Sequence, residues 1–173
     1  MHDLDEHQWR ELLLRLRRFA LWLTRESASA DDLVQATVER ALSRGRQQRE
    51  ADALRPWLFT ILYRLFLDGK RRDRLHARWL AWFDRAQQGS EPLGDNTEDI
   101  ILAQADLQAF GQLSAEQRAL LLLVSVEGLS YKEAAVALNI PIGTVMSRLS
   151  RARAALRDLT EGNPTPPALR RLK

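Results

Sequence analysis

A chain of 173 residues with 45% hydrophobic content has room for one ordinary domain or two small ones and enough apolar material for a core, which excludes a disordered tail. With no cysteine it holds neither disulfides nor zinc fingers, its apolar runs are too short to span a bilayer, and Asp3, Asp5 and Glu6 oppose a signal peptide's basic start, so a reducing cytoplasm without direct membrane insertion is expected. A net charge of +3 is by itself a weak argument for a nucleic-acid partner.

The elements read as helices throughout, since no alternating polar–apolar run supports a strand. Trp9, Leu12, Leu13, Leu16, Phe19, Ala20 and Leu23 mark a first amphipathic helix, with Arg10, Arg17 and Arg18 outside. Ser29 or Asp31 can cap a second helix to about Leu42, burying Leu33, Val34, Val38, Ala41 and Leu42. The polar stretch Arg44–Arg55 follows, whose arginines at 44, 46, 49 and 55 could hold phosphates or lie in solvent. Pro56 starts a third helix with core face Leu58, Ile61, Leu62 and Leu65, running into the basic segment Lys70–Arg78. The stretch AQQGSEPLGDNTED reads as a linker. Helix resumes from Asp99 to Phe110. Ser114 and Gln117 then form a capping box opening a helix through Val126, which Gly128 stops.

The segment LSYKEAAVALNIPIGTVMSRLSRARAALRDL, residues 129–159, carries the strongest functional signal. Ser130 and Glu133 make a capping box, and Ala134, Ala135 and Leu138 give a thin apolar face on which another helix can cross closely. Asn139 tolerates the left-handed turn conformation and Pro141 fits a helix start. Val145, Leu149, Ala152 and Leu156 then point inward, leaving Thr144, Ser147, Arg148 and Arg151 outward near the helix N-terminus. A helical hairpin with a solvated basic face is the bland alternative. The tight turn, the small residues and the outward polar set favour a DNA-binding helix-turn-helix.

Two stripes in the first half could also carry function. Asp32, Gln35 and Glu39 fall at i, i+3 and i+7 on the second helix, a pattern that is usually a wet face and only sometimes a partner site. On the third helix Thr60, Arg64, Asp68 and Arg71 form one line and Phe59, Tyr63 and Phe66 another. Rings among arginines suit single-stranded DNA, because bases stack on them while cations track the backbone, although many such rings are core.

Charge is segregated in the same way. Residues 40–79 carry 11 basic and 4 acidic side chains, and residues 117–173 carry 9 and 4; residues 1–39 and 80–116 are net acidic. Phosphate neutralisation needs local positive charge, so two DNA-contacting surfaces on a tether are expected. A recombinase or nuclease is disfavoured, because His2, His7 and His76 are scattered and no acidic cluster has metal-ligand spacing. A helix-turn-helix regulator acting without polymerase is the alternative reading, but residues 30–80 resemble no sensor or receiver domain.

The order ADDLVQATVERAL, PWLFTILYRLFLDGKRR and LSAEQRALLLLVSVEGLSYKEAAVALNIPIGTVMSRLSRARAAL resembles bacterial sigma factors of the extracytoplasmic-function type, over roughly residues 10–80 and 97–160. Each motif alone is modestly specific; their order and separation are highly specific. The resemblance implies an all-α chain of two small helical domains, region 2 over residues 1–83 and region 4 over 97–161. A flexible acidic linker (84–96) would join them, with a flexible tail at 162–173. Such a protein binds core RNA polymerase at the β′ clamp helices and β flap, recognises the −10 and −35 elements of promoter DNA, and opens the duplex. It would need no metal or cofactor and perform no bond chemistry, and an anti-sigma factor is an expected partner, one that could hold it at the inner membrane.

The same resemblance assigns residues. Asp31, Asp32, Leu33 and Gln35, with Glu39 on the same stripe, match the segment that docks on the clamp helices. Arg49, Arg55, Trp57, Phe59, Arg64, Asp68, Arg71 and Arg72 fall in the part that captures the −10 non-template strand. Tyr131, Lys132, Thr144, Ser147, Arg148 and Arg151 match the −35 reading surface. This chain departs from many relatives at Ala36, where a carboxylate is frequent, and at Arg64, where asparagine is frequent. Met146 and Ser150 stand where larger polar or aromatic groups are common. The promoter sequence therefore does not transfer.

Overall fold

The structure, a computed structural model, describes residues 5–44, 51–84 and 105–161. It contains helices α1 (Glu6–Thr24), α2 (Ser27–Arg44), α3 (Ala51–Asp84), α4 (Ala105–Gln112), α5 (Ala115–Leu121), a π-helical turn (Leu122–Val126), α6 (Tyr131–Leu138) and α7 (Ile142–Thr160). Among the described residues there is no strand. Helices α1–α3 form one compact unit and α4–α7 a second. The expected linker beyond Asp84, the helix start at Asp99 and the tail from 162 lie outside the described residues.

In the first unit Asp5 caps α1: its carboxylate accepts from the Gln8 N–H at 2.7 Å, and the Gln8 side chain accepts from the Asp5 N–H at 2.9 Å. Arg25, at φ 64°, ends the helix in the left-handed region. Leu12, Leu16, Phe19, Ala20 and Leu23 are buried as expected, but Leu13 is exposed, one helical step of rotation away from Leu12. Helix α2 starts at Ser27, before either expected cap; Ser29 Oγ donates to the Glu26 carboxylate and Asp31 is engaged by Arg17. Its buried line is Ala30, Thr37 and Ala41, with Leu33, Val34 and Val38 only half-buried. Small side chains mark where α2 crosses its neighbours, and Leu42 is turned to solvent, contrary to the sequence reading. The Thr37 hydroxyl donates to the Leu33 carbonyl at 2.7 Å, so its burial leaves no donor unmet.

Helix α3 begins at Ala51, five residues ahead of Pro56, which sits inside the helix rather than starting it. Leu54, Leu58, Phe59, Thr60, Ile61, Leu62, Tyr63 and Phe66 are buried, and Leu65 is half-buried. This stretch is buried on nearly every side because both α1 and α2 pack on it. Phe59 meets Phe19 edge-on at 5.2 Å between ring centroids, a pairing that adds to the area buried. From Lys70 to Trp79 every described side chain is exposed.

In the second unit Ser114 accepts from the Gln117 N–H at 3.2 Å and closes the expected capping box of α5. Arg118, which the sequence reading passed over, is buried and donates to the carbonyls of Gly111 (3.0 Å) and Leu113, binding the end of α4 to α5. The expected helix through Val126 changes geometry at Leu122, where the Glu127 N–H reaches back five residues to the Leu122 carbonyl at 2.8 Å. Gly128 then takes φ 66° and the chain turns toward α6. The core joins Ala109, Leu113, Ala119 to Leu123, Leu129, Ala134, Ala137, Leu138, Val145, Leu149 and Ala152. Among the described residues no buried side-chain nitrogen or oxygen lacks a partner.

Candidate nucleic-acid interface

Helices α6 and α7 form a helix-turn-helix. The Glu133 carboxylate accepts from the Ser130 N–H at 2.7 Å while Ser130 Oγ accepts from the Glu133 N–H at 3.2 Å. Ala134, Ala137 and Leu138 are buried against α7; Ala135, expected on that face, is half-buried. Asn139 takes φ 53°, and the Ile140 N–H closes the turn on the Ala135 carbonyl at 3.0 Å. Pro141 is the N-cap of α7, its carbonyl accepting from Thr144 (2.9 Å) and Val145 (3.1 Å). Val145, Leu149 and Ala152 anchor the inner face of α7, and Leu156 is half-buried.

The outer face holds most of the expected residues together. Ser147, Arg148 and Arg151 are exposed, Thr144 is half-buried beside them, and Tyr131 and Lys132 are exposed in the first turn of α6. Ser147 Oγ donates to the Thr144 carbonyl at 3.2 Å and Arg151 Nε to the Ser147 carbonyl at 3.2 Å, so both side chains lie along the helix. Arg148 pairs with Glu116 of α5 at 3.1 Å, a partner no local pattern indicates. The sequence reading also missed the exposure of Ile142 beside Met146, which a projection down α7 would have found. Backbone N–H groups at the start of α7 and its arginines favour an anionic ligand.

On α3, Arg64, Asp68, Arg71 and Arg72 are exposed, while Arg55 and Trp57 are half-buried. Arg49 lies outside the described residues. Phe59 requires a correction: wholly buried against Phe19, it cannot offer a face to a base, and Tyr63, Phe66 and Thr60 are buried with it. Among the described residues no ion pair joins Arg64 to Asp68. The line Arg64–Asp68–Arg71 continues instead into exposed Leu75 and Trp79, and the Trp79 ring stacks beside His76 at 6.3 Å.

On α2, Asp31, Asp32, Gln35 and Glu39 are exposed and Leu33 half-buried. Gln35 donates to Glu39 at 2.9 Å. Asp31 differs from the others, since Arg17 of α1 donates to it at 2.6 Å and also reaches Ser27 at 3.0 Å. That hydrogen bond, with the attraction of the guanidinium, holds the Asp31 carboxyl below its ordinary value and raises Arg17. Leu42, at i+3 from Glu39, extends the Asp32–Gln35–Glu39 stripe with an apolar end. Among the described residues no helix is long and apolar enough to cross a membrane, and no acidic or histidine cluster could hold a metal ion.

Comparison with known proteins covers both units. The family description "Sigma-70, region 4" matches residues 107–156. "Sigma2 domain of PhyR" matches residues 10–63. The chain is 34% identical over 145 residues to the ECF RNA polymerase sigma factor EcfG of Rhodopseudomonas palustris, covering 82% of this chain and 76% of that one. It is 36% identical over 149 residues to the ECF RNA polymerase sigma factor SigL of Mycobacterium tuberculosis, covering 82% and 80%. Among solved structures it is similar to the sigma factor RpoE of Bartonella quintana, crystallised with the anti-sigma factor NepR, at 31% identity, a TM-score of 0.69, and coverage of 92% and 98%.

Proposed function

The chain belongs to the ECF RNA polymerase sigma factors, and from that premise we propose how its surfaces divide the work of an alternative sigma factor. The α2 stripe Asp32–Gln35–Glu39, ending in Leu42, docks on core polymerase at the β′ clamp helices. The exposed line of α3 from Arg64 to Arg71, with Arg72 beside it, takes the −10 non-template strand. The outer face of α7, with Tyr131 and Lys132, reads the −35 element. The supporting observation is the similarity to whole sigma factors across both units in one order, with a helix-turn-helix in the second.

The physical roles follow from what each surface carries. Opening promoter DNA extrudes bases at a cost of about a few kcal/mol, which capture of an unstacked base offsets. Arginines at 64, 71 and 72 supply phosphate contacts for that strand. On α7, Ser147 and Arg151 take base edges and phosphate together, and each good bidentate base contact is worth about 1–3 kcal/mol of discrimination. Two modest contacts become effective once core polymerase fixes their spacing, because the second then forms at high effective concentration. Bond formation is left to the polymerase.

An anti-sigma factor is proposed as the negative regulator, since the structurally similar Bartonella quintana sigma factor was crystallised with one. Run-off transcription with purified core polymerase is the test. Promoter-selective initiation that needs both −10 and −35 elements is expected. Tight, sequence-selective duplex binding by the chain alone, with no transcription on addition of core polymerase, would instead favour an operator-binding regulator.

A further inference from the structure

We propose that Met146 makes this chain select a thymine methyl group in its upstream promoter element; the proposal rests on the −35 reading of α7 given above. Met146 is 52% exposed and Ile142, one turn earlier, is 47% exposed. Two large apolar side chains therefore stand at i and i+4 in the first turns of a helix whose core face is Val145, Leu149 and Ala152. Residues in those turns are the ones a recognition helix presents to base edges.

The chemistry of the helix says what would cover them. Between Ile142 and Arg157, α7 carries Arg148, Arg151, Arg153 and Arg157 and no carboxylate, so the fitting occupant is a polyanion. Within the major groove of unmodified DNA the apolar group on a base edge is the thymine C5-methyl. A thioether is at most a weak acceptor, so Met146 cannot tell bases apart by hydrogen bonding and can do so by covering that methyl. Its unbranched, polarisable chain adapts to such a target.

The neighbours permit the approach. Gly143, Ser147, Ser150 and Ala154, beside Met146 on the outer side of α7, are exposed and small, and a Cβ added at Gly143 meets nothing within 4 Å. A helix with so little bulk there can seat low in the groove, bringing a long flanking side chain to the base edge. Arg148 and Arg151 lie toward the other flank, where they suit phosphates or guanine edges.

The experiment uses the full chain with core polymerase on a promoter library randomised at the −35 element. In the selected element each thymine is then replaced by deoxyuridine, which removes the methyl and leaves every hydrogen-bonding group in place. At one position the wild type should initiate about fourfold less well, the effect of one methyl-sized group no longer taken from water. Met146→Ala should be indifferent to that replacement, and Met146→Leu should keep most of the response. Circular dichroism of both variants should match the wild type, since the side chain is outside the core.

Three results overturn the proposal: a selected element without thymine, a wild type indifferent to every deoxyuridine, or an undiminished deoxyuridine effect in Met146→Ala. In each of these, transcription that still depends on the −35 element leaves the reading of α7 standing. Initiation with no −35 dependence at all removes both.

Discussion

At the scale of single residues, the arginines at 64 and 148 stand in contrasting situations. Arg64 is exposed on α3 and points away from the buried Leu58–Leu62 face. Where asparagine would shape a small polar pocket, a guanidinium offers a fork suited to guanine edges or phosphate. Arg64→Asn is therefore expected to change −10 base preference in a randomised promoter library, with the thermal midpoint moving by no more than about two degrees. Arg148 is already held by Glu116 at 3.1 Å, with both side chains well exposed to solvent. An exposed pair of this kind holds weakly, so a phosphate can draw the guanidinium away. Glu116→Gln removes the competitor. The holoenzyme should then bind −35 duplex more tightly, with the slope of log affinity against log salt near the wild-type value, because Arg148 reaches the same phosphate in both. A slope steeper by about 0.9 in the variant would mean that in the wild type Arg148 stays on Glu116 in the complex.

At the scale of elements, the pair Arg17–Asp31 fastens α1 to α2 and has a pH signature. The folded-state Asp31 carboxyl titrates below its ordinary value, so its contribution is complete above the unfolded value of about 3.9 and is lost as pH falls through the lower folded one. Glu11, held down by the hydrogen bond from Arg15, acts with the same sign. Urea unfolding of Asp31→Asn should show a shallower loss of stability than the wild type between about pH 4 and pH 2, the two curves converging at the acid end. Parallel curves would show that the pair does nothing for folding. How legible each element was depended on which residues mark its buried face. Helices α1 and α7 bury large residues at helical spacing, and capping boxes announce α5 and α6, so their existence and approximate limits could be read directly. Helix α2 buries Ala30, Thr37 and Ala41, which hydropathy does not flag, and so hydropathy alone puts Leu42 on the wrong side. Periodicity shows one face at a time and so leaves the rings at 59, 63 and 66 open to DNA, whereas α3 is packed by two helices that bury them. Likewise, Glu116 lies 32 residues from Arg148, a separation no local pattern spans.

At the scale of the whole molecule, function is proposed to reside in surfaces that act only once polymerase spaces them. Asp32→Arg with Gln35→Ala reverses charge and deletes an amide on an exposed stripe. Core-polymerase affinity should fall at least tenfold, a loss of about 1.4 kcal/mol, while helicity is kept; unchanged affinity would remove α2 from the interface. Helix α3 brings a consequence of a different kind. It runs for 34 residues, a span of about 50 Å, yet its middle is enclosed by the bundle while every described side chain from Lys70 to Trp79 is exposed. A helical stretch so exposed rests mainly on local propensity and its own hydrogen bonds, so its amides should open far more often than those at Leu58 to Phe66. Hydrogen exchange on the free protein is expected to divide this one helix near Gly69 into a slow half and a fast half. When the holoenzyme engages promoter DNA, the fast half should slow and the enclosed half should stay as it was, so that α3 records in its own exchange rates whether the strand has been taken up.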